Sequence, residues 1–344
     1  MLESLTIKGF RGHKECSFER LARVNLLVGP NNAGKTAVLD AVELLVRDGH
    51  PRTIASLASR RAGEYANAFD YREGDSLPPA VRYLFHGYGD SGKASLELIS
   101  TGKPARVLTM SWEDRSEDGV YPQAAAIQIL RNGKSKETLG VGTHTVAPSS
   151  MMRGRERVQF VSPLGATAAS LRPLWSSIVG NPDEDQVLAA LQILDDRLDR
   201  VVFSTDIDED PSPKIFVRLK GVRERVPLSS LGDGMRRMLG IAIRAVKARD
   251  GWLVLDEVDS GLHFSAMQRL WRWLITYARE SNTQVFATTH SSDCVNALGW
   301  LHRADPTITE SAGLFRLEPG EVEATRYTAG ELQGVAENGL EVRA

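Results

Sequence analysis

Residues Gly29, Pro30, Asn31, Asn32, Ala33, Gly34, Lys35 and Thr36 spell GPNNAGKT, the spacing of a loop that wraps phosphate. Gly29 and Gly34 let the backbone curl so that successive N–H groups face one concavity, and a helix beginning near Lys35 adds its positive dipole end there. In that frame Lys35 reaches the β- and γ-phosphates of a nucleotide, and the Thr36 hydroxyl takes one position on Mg²⁺. From average composition such a match arises by accident in roughly one chain in a hundred of this length.

Hydrolysis needs more than a phosphate loop, and three further segments carry the residue types for it. Residues 252–257 (WLVLDE) form an apolar run that ends in adjacent acids. A buried strand there delivers Asp256 to the metal shell and Glu257 to an attacking water as general base. Residues 284–290 (QVFATTH) form a second short apolar run ending in His290, which a neighbouring parallel strand would place beside the γ-phosphate as a sensor. Residues 228–239 (LSSLGDGMRRML) read as a glycine turn that opens a helix. There Ser230, Gly232, Asp233 and Gly234 supply a second anion site of N–H groups and helix dipole. Arg236 and Arg237, just beyond it, are expected to face the nucleotide or a partner protomer.

These residues need a scaffold, and the pattern supplies one. Residues 24–28 (VNLLV) read as a buried strand and 35–46 (KTAVLDAVELLV) as a helix, the context a phosphate loop requires. Strands are expected near 80–87, 94–100, 106–112 and 125–131, with a turn at Asn132-Gly133, as an antiparallel lobe. Residues 49–80 read as an irregular or helical excursion and 134–157 as a polar stretch. After a strand at 158–163, residues 166–200 look helical, with Asp183–Asp185 placing acids at a helix start. Strands near 201–204 and 214–219 lead back to the glycine turn, and Trp252, Trp271 and Trp273 are expected in the core.

With 344 residues, 42% of them hydrophobic, the chain can bury a large core of α/β type. Its net charge of −2 argues against a constitutive nucleic-acid binder. The small basic clusters Arg60-Arg61 and Arg153, Arg155, Arg157 read as solvated surface. Two distant cysteines, Cys16 and Cys294, imply a reducing compartment. No apolar run of spanning length and no leader pattern is visible, so a cytoplasmic location without membrane contact is expected.

In chain order GPNNAGKT, LGDGMRR, LVLDE, DSGLH (Asp259–His263) and the histidine of TTH follow the ABC-type succession of motifs. With the opening LESLTIKGFRG at 2–12, the chain resembles the ATPase domains of the OLD (overcoming lysogenization defect) group and its AAA-type relatives, kin of SMC and RecF-like heads. The ending YTAGELQGVAENGLEVR at 327–343 is similar to the tail of such domains when no nuclease follows. The 54 residues after His290 are too few for a Toprim nuclease. No long heptad run sets the chain beside full SMC proteins.

The resemblance implies a P-loop NTPase of ABC type, with a mixed central sheet, helices on both faces, an antiparallel β lobe and a helical insertion. One ATPase domain would span 1–344, with core segments 1–48 and 225–344 around the lobe and insertions of 49–224. It implies ATP and Mg²⁺ as cofactors, Arg11 approaching the phosphates, and a homodimer in which the loop of one protomer and the glycine turn of another close on the same ATP. ATP-driven dimerisation would gate a partner nuclease or toxin in anti-phage defence or DNA repair, with DNA a further candidate ligand. Gly232 stands where the ABC signature has its phosphate-contacting serine. Ser229 or Ser230, or the backbone of Gly232–Gly234, then substitutes. Gln123, Gln128 and Gln159 all remain candidates for the glutamine loop. The competing readings are the nucleotide-binding subunit of an ABC transporter and a scaffold that binds ATP without turnover. No N-K-x-D guanine motif supports GTP.

Overall fold

The computed structural model describes residues 1–60, 79–89, 93–113, 125–133, 135–141, 157–206, 210–328, 330–332 and 334. Arg61, Arg153, Arg155, Gln123 and the tail beyond residue 334 lie outside the described residues. In chain order the first elements are β1 (Leu5–Phe10), β2 (His13–Phe18), β3 (Val24–Val28), α1 (Lys35–Val46) and α2 (Pro51–Ser59). Strands β4 (Lys93–Ser100), β5 (Arg106–Glu113), β6 (Ala125–Arg131), β7 (Ser135–Val141) and β8 (Val158–Val161) follow. Next come α3 (Ala168–Ser176), α4 (Pro182–Leu191), β9 (Leu198–Asp206), β10 (Asp210–Leu219), β11 (Val226–Pro227) and α5 (Asp233–Lys247). The chain continues through β12 (Trp252–Leu255), α6 (Phe264–Glu280), β13 (Gln284–Thr288), α7 (Ser292–Ala304), α8 (Pro306–Thr309), β14 (Ala312–Arg316) and β15 (Thr325–Thr328).

Two compact units form, the first from Met1–Leu21, Gly29–Glu156 and Leu317–Arg326. Its sheet is antiparallel, in the order β2-β1-β4-β5-β6-β7. Alternating residues Leu5 and Ile7, Leu96 and Leu98, Leu108 and Met110, and Ile127 and Ile129 are all buried, the half-buried pattern of a sheet with one covered face. Helix α1 packs on this sheet. All its residues but Thr36 are buried, Asp40 and Glu43 included. The segment 80–87, expected as a strand, forms 3₁₀ turns over Pro79–Leu84 and His86–Gly89. Val81, Leu84 and Phe85 are its fully buried residues. Their i, i+3, i+4 spacing is helical, and that period, not alternation, decided the outcome.

The second unit gathers Ala22–Val28, Arg157–Arg316 and Tyr327–Ala344. Its central strands lie in the order β14-β3-β13-β12-β8, with β15 beyond β14, and the pairs among those five strands are parallel. Both faces are covered: Leu253, Leu255, Val285 and Ala287 belong to one core, while Val254, Phe286 and Leu27, of opposite parity, are equally buried. That is why β3, β12 and β13 read as continuous apolar runs. Helices α3 to α7 contribute to the same core, and a three-stranded antiparallel sheet, β11-β10-β9, adds Val201, Val217 and Leu219 to it. Trp271 is fully buried, Trp252 is 7% exposed, and Trp273 packs at the margin.

Candidate functional site

In the first unit the phosphate loop follows directly on β3 and turns into α1. Gly29 has φ 142°, Asn32 φ 64° and Gly34 φ 83°, a run of positive φ that aims peptide groups to one side. A Cβ on Gly29 would collide with the Leu317 carbonyl, and one on Gly34 with the His13 ring, so neither position accepts a side chain. His13 on β2 hydrogen-bonds the Gly34 carbonyl through Nε2 at 3.1 Å. Burial pushes its imidazole below the ordinary range, opposed by that hydrogen bond. No side chain caps the start of α1, so the helix presents its N-terminal peptide groups in the manner that suits an anion. Lys35, itself buried, donates from Nζ to the Gly29 carbonyl at 2.7 Å and the Pro30 carbonyl at 2.9 Å.

The same unit places Arg11 on α1 and α2. Its guanidinium pairs with Asp40 at 3.1 Å and donates to the Leu57 carbonyl at 2.8 Å. Arg60 completes the set, reaching Asp40 at 3.2 Å and Glu43 at 2.8 Å. Two carboxylates on the helix behind the phosphate loop are thus balanced by arginines from β1's end and α2's end, the pairing that buried charges demand.

In the second unit the parallel register brings the ends of β8, β12, β13 and β3 to one edge, since Leu255 pairs with Ala287 and Val161, and Thr288 with Leu27. Asp256 and Glu257 leave β12 at that edge. The Thr288 hydroxyl donates to Asp256 Oδ1 at 2.7 Å and accepts from the Glu257 N–H at 2.8 Å. The Thr289 hydroxyl donates to Asp259 Oδ1 at 2.5 Å. Asp256 is 7% exposed. Glu257 is half-buried with φ 48°, in the left-handed region, an uncommon conformation for a residue with a side chain. His290 is exposed, just past β13. Ser291 beside it caps α7 by accepting from Cys294 N–H at 3.3 Å.

The glycine turn sits in the same unit. Gly232, φ 86°, stands at the N-cap of α5, and Ser230, Gly232 and Asp233 are exposed. A Cβ on Gly234 would stand 2.8 Å from the Gly261 carbonyl, so the first turn of α5 packs tightly on the DSGLH segment. Asp233 and Arg236 form an exposed pair at 2.7 Å. Arg237, expected to face nucleotide or partner, instead points inward and is 4% exposed. It donates to the carbonyls of Ser162, Asp256 and Glu257. Gln128 lies within β6 and Gln159 within β8. Sequence reasoning missed Thr288 and the inward turn of Arg237. Thr288 was in plain view inside QVFATTH, and nothing in the one-dimensional pattern separates Arg237 from Arg236 except its i, i+4 spacing from the apolar, buried Ile241.

Residues 1–75 match the model of an "AAA ATPase domain". Residues 182–294 match that of an "AAA domain, putative AbiEii toxin, Type IV TA system". The chain is similar to an ATP/GTP phosphatase of Helicobacter pylori, 24% identical over 87% of each chain. It is an ATPase. Over 60 residues it is 43% identical to the DNA replication and repair protein RecF of Vibrio campbellii, covering 17% of this chain and 16% of that protein. Its fold is that of an SMC head. The Smc head domain with an extended coiled coil, bound to the C-terminal domain of ScpA derived from Pyrococcus furiosus, superimposes with a TM-score of 0.55 at 12% identity, covering 99% of each chain. Among the described residues no helix of this ATPase is long and apolar enough to cross a membrane.

Proposed function

We propose that this ATPase is an OLD-like switch in which Lys35 and the loop N–H groups hold the nucleotide phosphates. Thr36 and Asp256 hold Mg²⁺, Glu257 is the general base, and His290 senses the γ-phosphate. Support comes from the residues that fit those groups: a phosphate loop with no room for a Cβ at Gly29 or Gly34, and an acid pair pinned at a strand end by Thr288. When bound, Mg²⁺ neutralises charge on the phosphate oxygens. The protein's own part is to position. Thr288 occupies one oxygen of Asp256 and leaves the carboxylate in a fixed direction, and Glu257 takes the proton of a water aligned with the phosphorus.

The glycine turn at Ser230, Gly232, Asp233 and Gly234, exposed at its first three residues, supports a homodimer with two composite ATP sites. The open state of this turn is the observation that carries the reading, because an exposed helix start beside an ATPase site suits a phosphate offered by a second copy. The output of such a dimer is the gating of a nuclease or toxin in trans, in anti-phage defence or DNA repair. The test is light scattering of Glu257→Gln with ATP and Mg²⁺. A shift to twice the monomer mass, absent with ADP, is expected, and a monomer at saturating ATP would overturn the dimer.

A further inference from the structure

We propose that Arg237 is a positioning residue for hydrolysis, tying the helix that carries the glycine turn to the peptide that carries Asp256 and Glu257. It rests on the reading of Glu257 as general base and adds to it the part that aims the base.

The geometry points inward from three directions. Arg237 is buried on α5 together with Met238 and Ile241, and α5 packs against β8 and β12. Its Nη2 donates to the carbonyls of Asp256 at 2.6 Å and Glu257 at 2.8 Å, and its Nη1 to the carbonyl of Ser162 just past β8. All three acceptors are backbone carbonyls, so one buried cation fixes three peptide groups at the ends of two adjacent parallel strands. Burial lowers the affinity of this guanidinium for its proton, and the negative charges of Asp256, Glu257 and Asp259 oppose that fall. Its Nε has no hydrogen-bond partner among the described residues. An arginine buried at such cost is not a packing choice, because a methionine of similar length would fill the space without desolvating a charge.

What the clamp holds is the conformation of Glu257. At φ 48° the residue sits outside the regions its side chain prefers, and it persists there only because the surroundings dictate it. Its N–H is taken by Thr288 Oγ1, and its carbonyl accepts from Arg237 at 2.8 Å and from the Ser260 N–H at 3.0 Å, so both ends of the strained residue are fixed. Loss of the Arg237 donor leaves the carbonyl on the Ser260 N–H alone, so the turn loosens, φ can relax, and the Cα–Cβ direction, hence the carboxylate, swings away from the attacking water. Arg237 belongs to the same helix as Gly232–Gly234. A displacement of that exposed helix start therefore reaches Glu257 through one side chain, without passing through the nucleotide.

The experiment is a double-mutant cycle of Arg237→Met and Arg237→Lys with Glu257→Gln, read as kcat and KM for ATP alongside binding of a fluorescent ATP analogue. Arg237→Met in the wild-type background should lower kcat roughly 100-fold, the loss that a misplacement of about 1 Å causes, with analogue affinity unchanged within about twofold. Arg237→Lys, which keeps the charge and part of the hydrogen bonding, should recover part of the rate. In the Glu257→Gln background neither substitution should lower the residual rate further. Additive losses, or full kcat in a folded Arg237→Met, would overturn the proposal. Should Arg237→Met not fold, Arg237→Lys decides alone, since an unchanged kcat there contradicts the clamp. Wild-type turnover in Glu257→Gln would mark the failure of the general-base reading instead.

Discussion

At the scale of single residues, the chemistry is concentrated in side chains whose partners are distant in sequence. GPNNAGKT, Asp256, Glu257 and His290, the residues proposed to act, stand out in the sequence because phosphate, metal and water each call for a residue type at a fixed place. Their supports do not. Thr288 is an ordinary strand threonine until the parallel register sets its hydroxyl between Asp256 Oδ1 and the Glu257 N–H. Arg11 read as a phosphate ligand, and its pairing with Asp40 and the Leu57 carbonyl emerges only from the packing of α1 and α2. His13 carries a measurable consequence. Burial depresses its proton affinity below the ordinary 6.5, so as pH falls through 6.5 the unfolded chain takes up the proton before the folded one. Stability contributed by the neutral ring is therefore complete above 6.5 and declines below it. His50 is depressed for the same first cause and adds in the same direction. Thermal midpoints at pH 7.5 and 5.5 should show a smaller acid loss in His13→Gln than in wild type. An identical loss would remove His13 from the account.

At the scale of elements, the strands and helices that carry the motifs were legible almost to the residue. β3 and α1 occupy 24–28 and 35–46 as the pattern requires, because a strand buried on both faces and a helix ending a glycine loop leave little ambiguity. The acids at Asp183–Asp185 do mark the start of α4. The segment 80–87 was misread because short apolar runs fit either period, and only tertiary packing of Val81, Leu84 and Phe85 chooses. Helices α6 and α7 illustrate how elements are joined. Trp271 on α6 is fully buried and donates from Nε1 to the Cys294 carbonyl on α7 at 2.9 Å. Trp271→Ala should lower unfolding free energy by about 4 kcal/mol. Trp271→Phe should cost about 1–2 kcal/mol, from the packing lost with the smaller ring and the loss of the Nε1 hydrogen bond. Urea denaturation measures both, and equal stability of Trp271→Phe and wild type would show that the hydrogen bond contributes nothing.

At the scale of the whole molecule, two compact units are woven from alternating stretches of chain, so that β3 belongs to one while the loop directly after it belongs to the other. No local sequence signal reveals that interleaving, since the chain passes from one unit to the other between adjacent residues, as at Val28 and Gly29 or Arg316 and Leu317. The fold class was legible from motif order, and the SMC-head likeness bears it out at a TM-score of 0.55. In the proposed mechanism this fold hydrolyses ATP with Glu257 as the base and Lys35 as the phosphate anchor. The most direct test is steady-state ATP turnover, with nucleotide binding measured on the same preparations, for wild type, Lys35→Ala and Glu257→Gln. The account predicts that Lys35→Ala loses binding, while Glu257→Gln binds ATP as wild type does and turns over at least about 100-fold more slowly. Equal turnover in Glu257→Gln and wild type would contradict it.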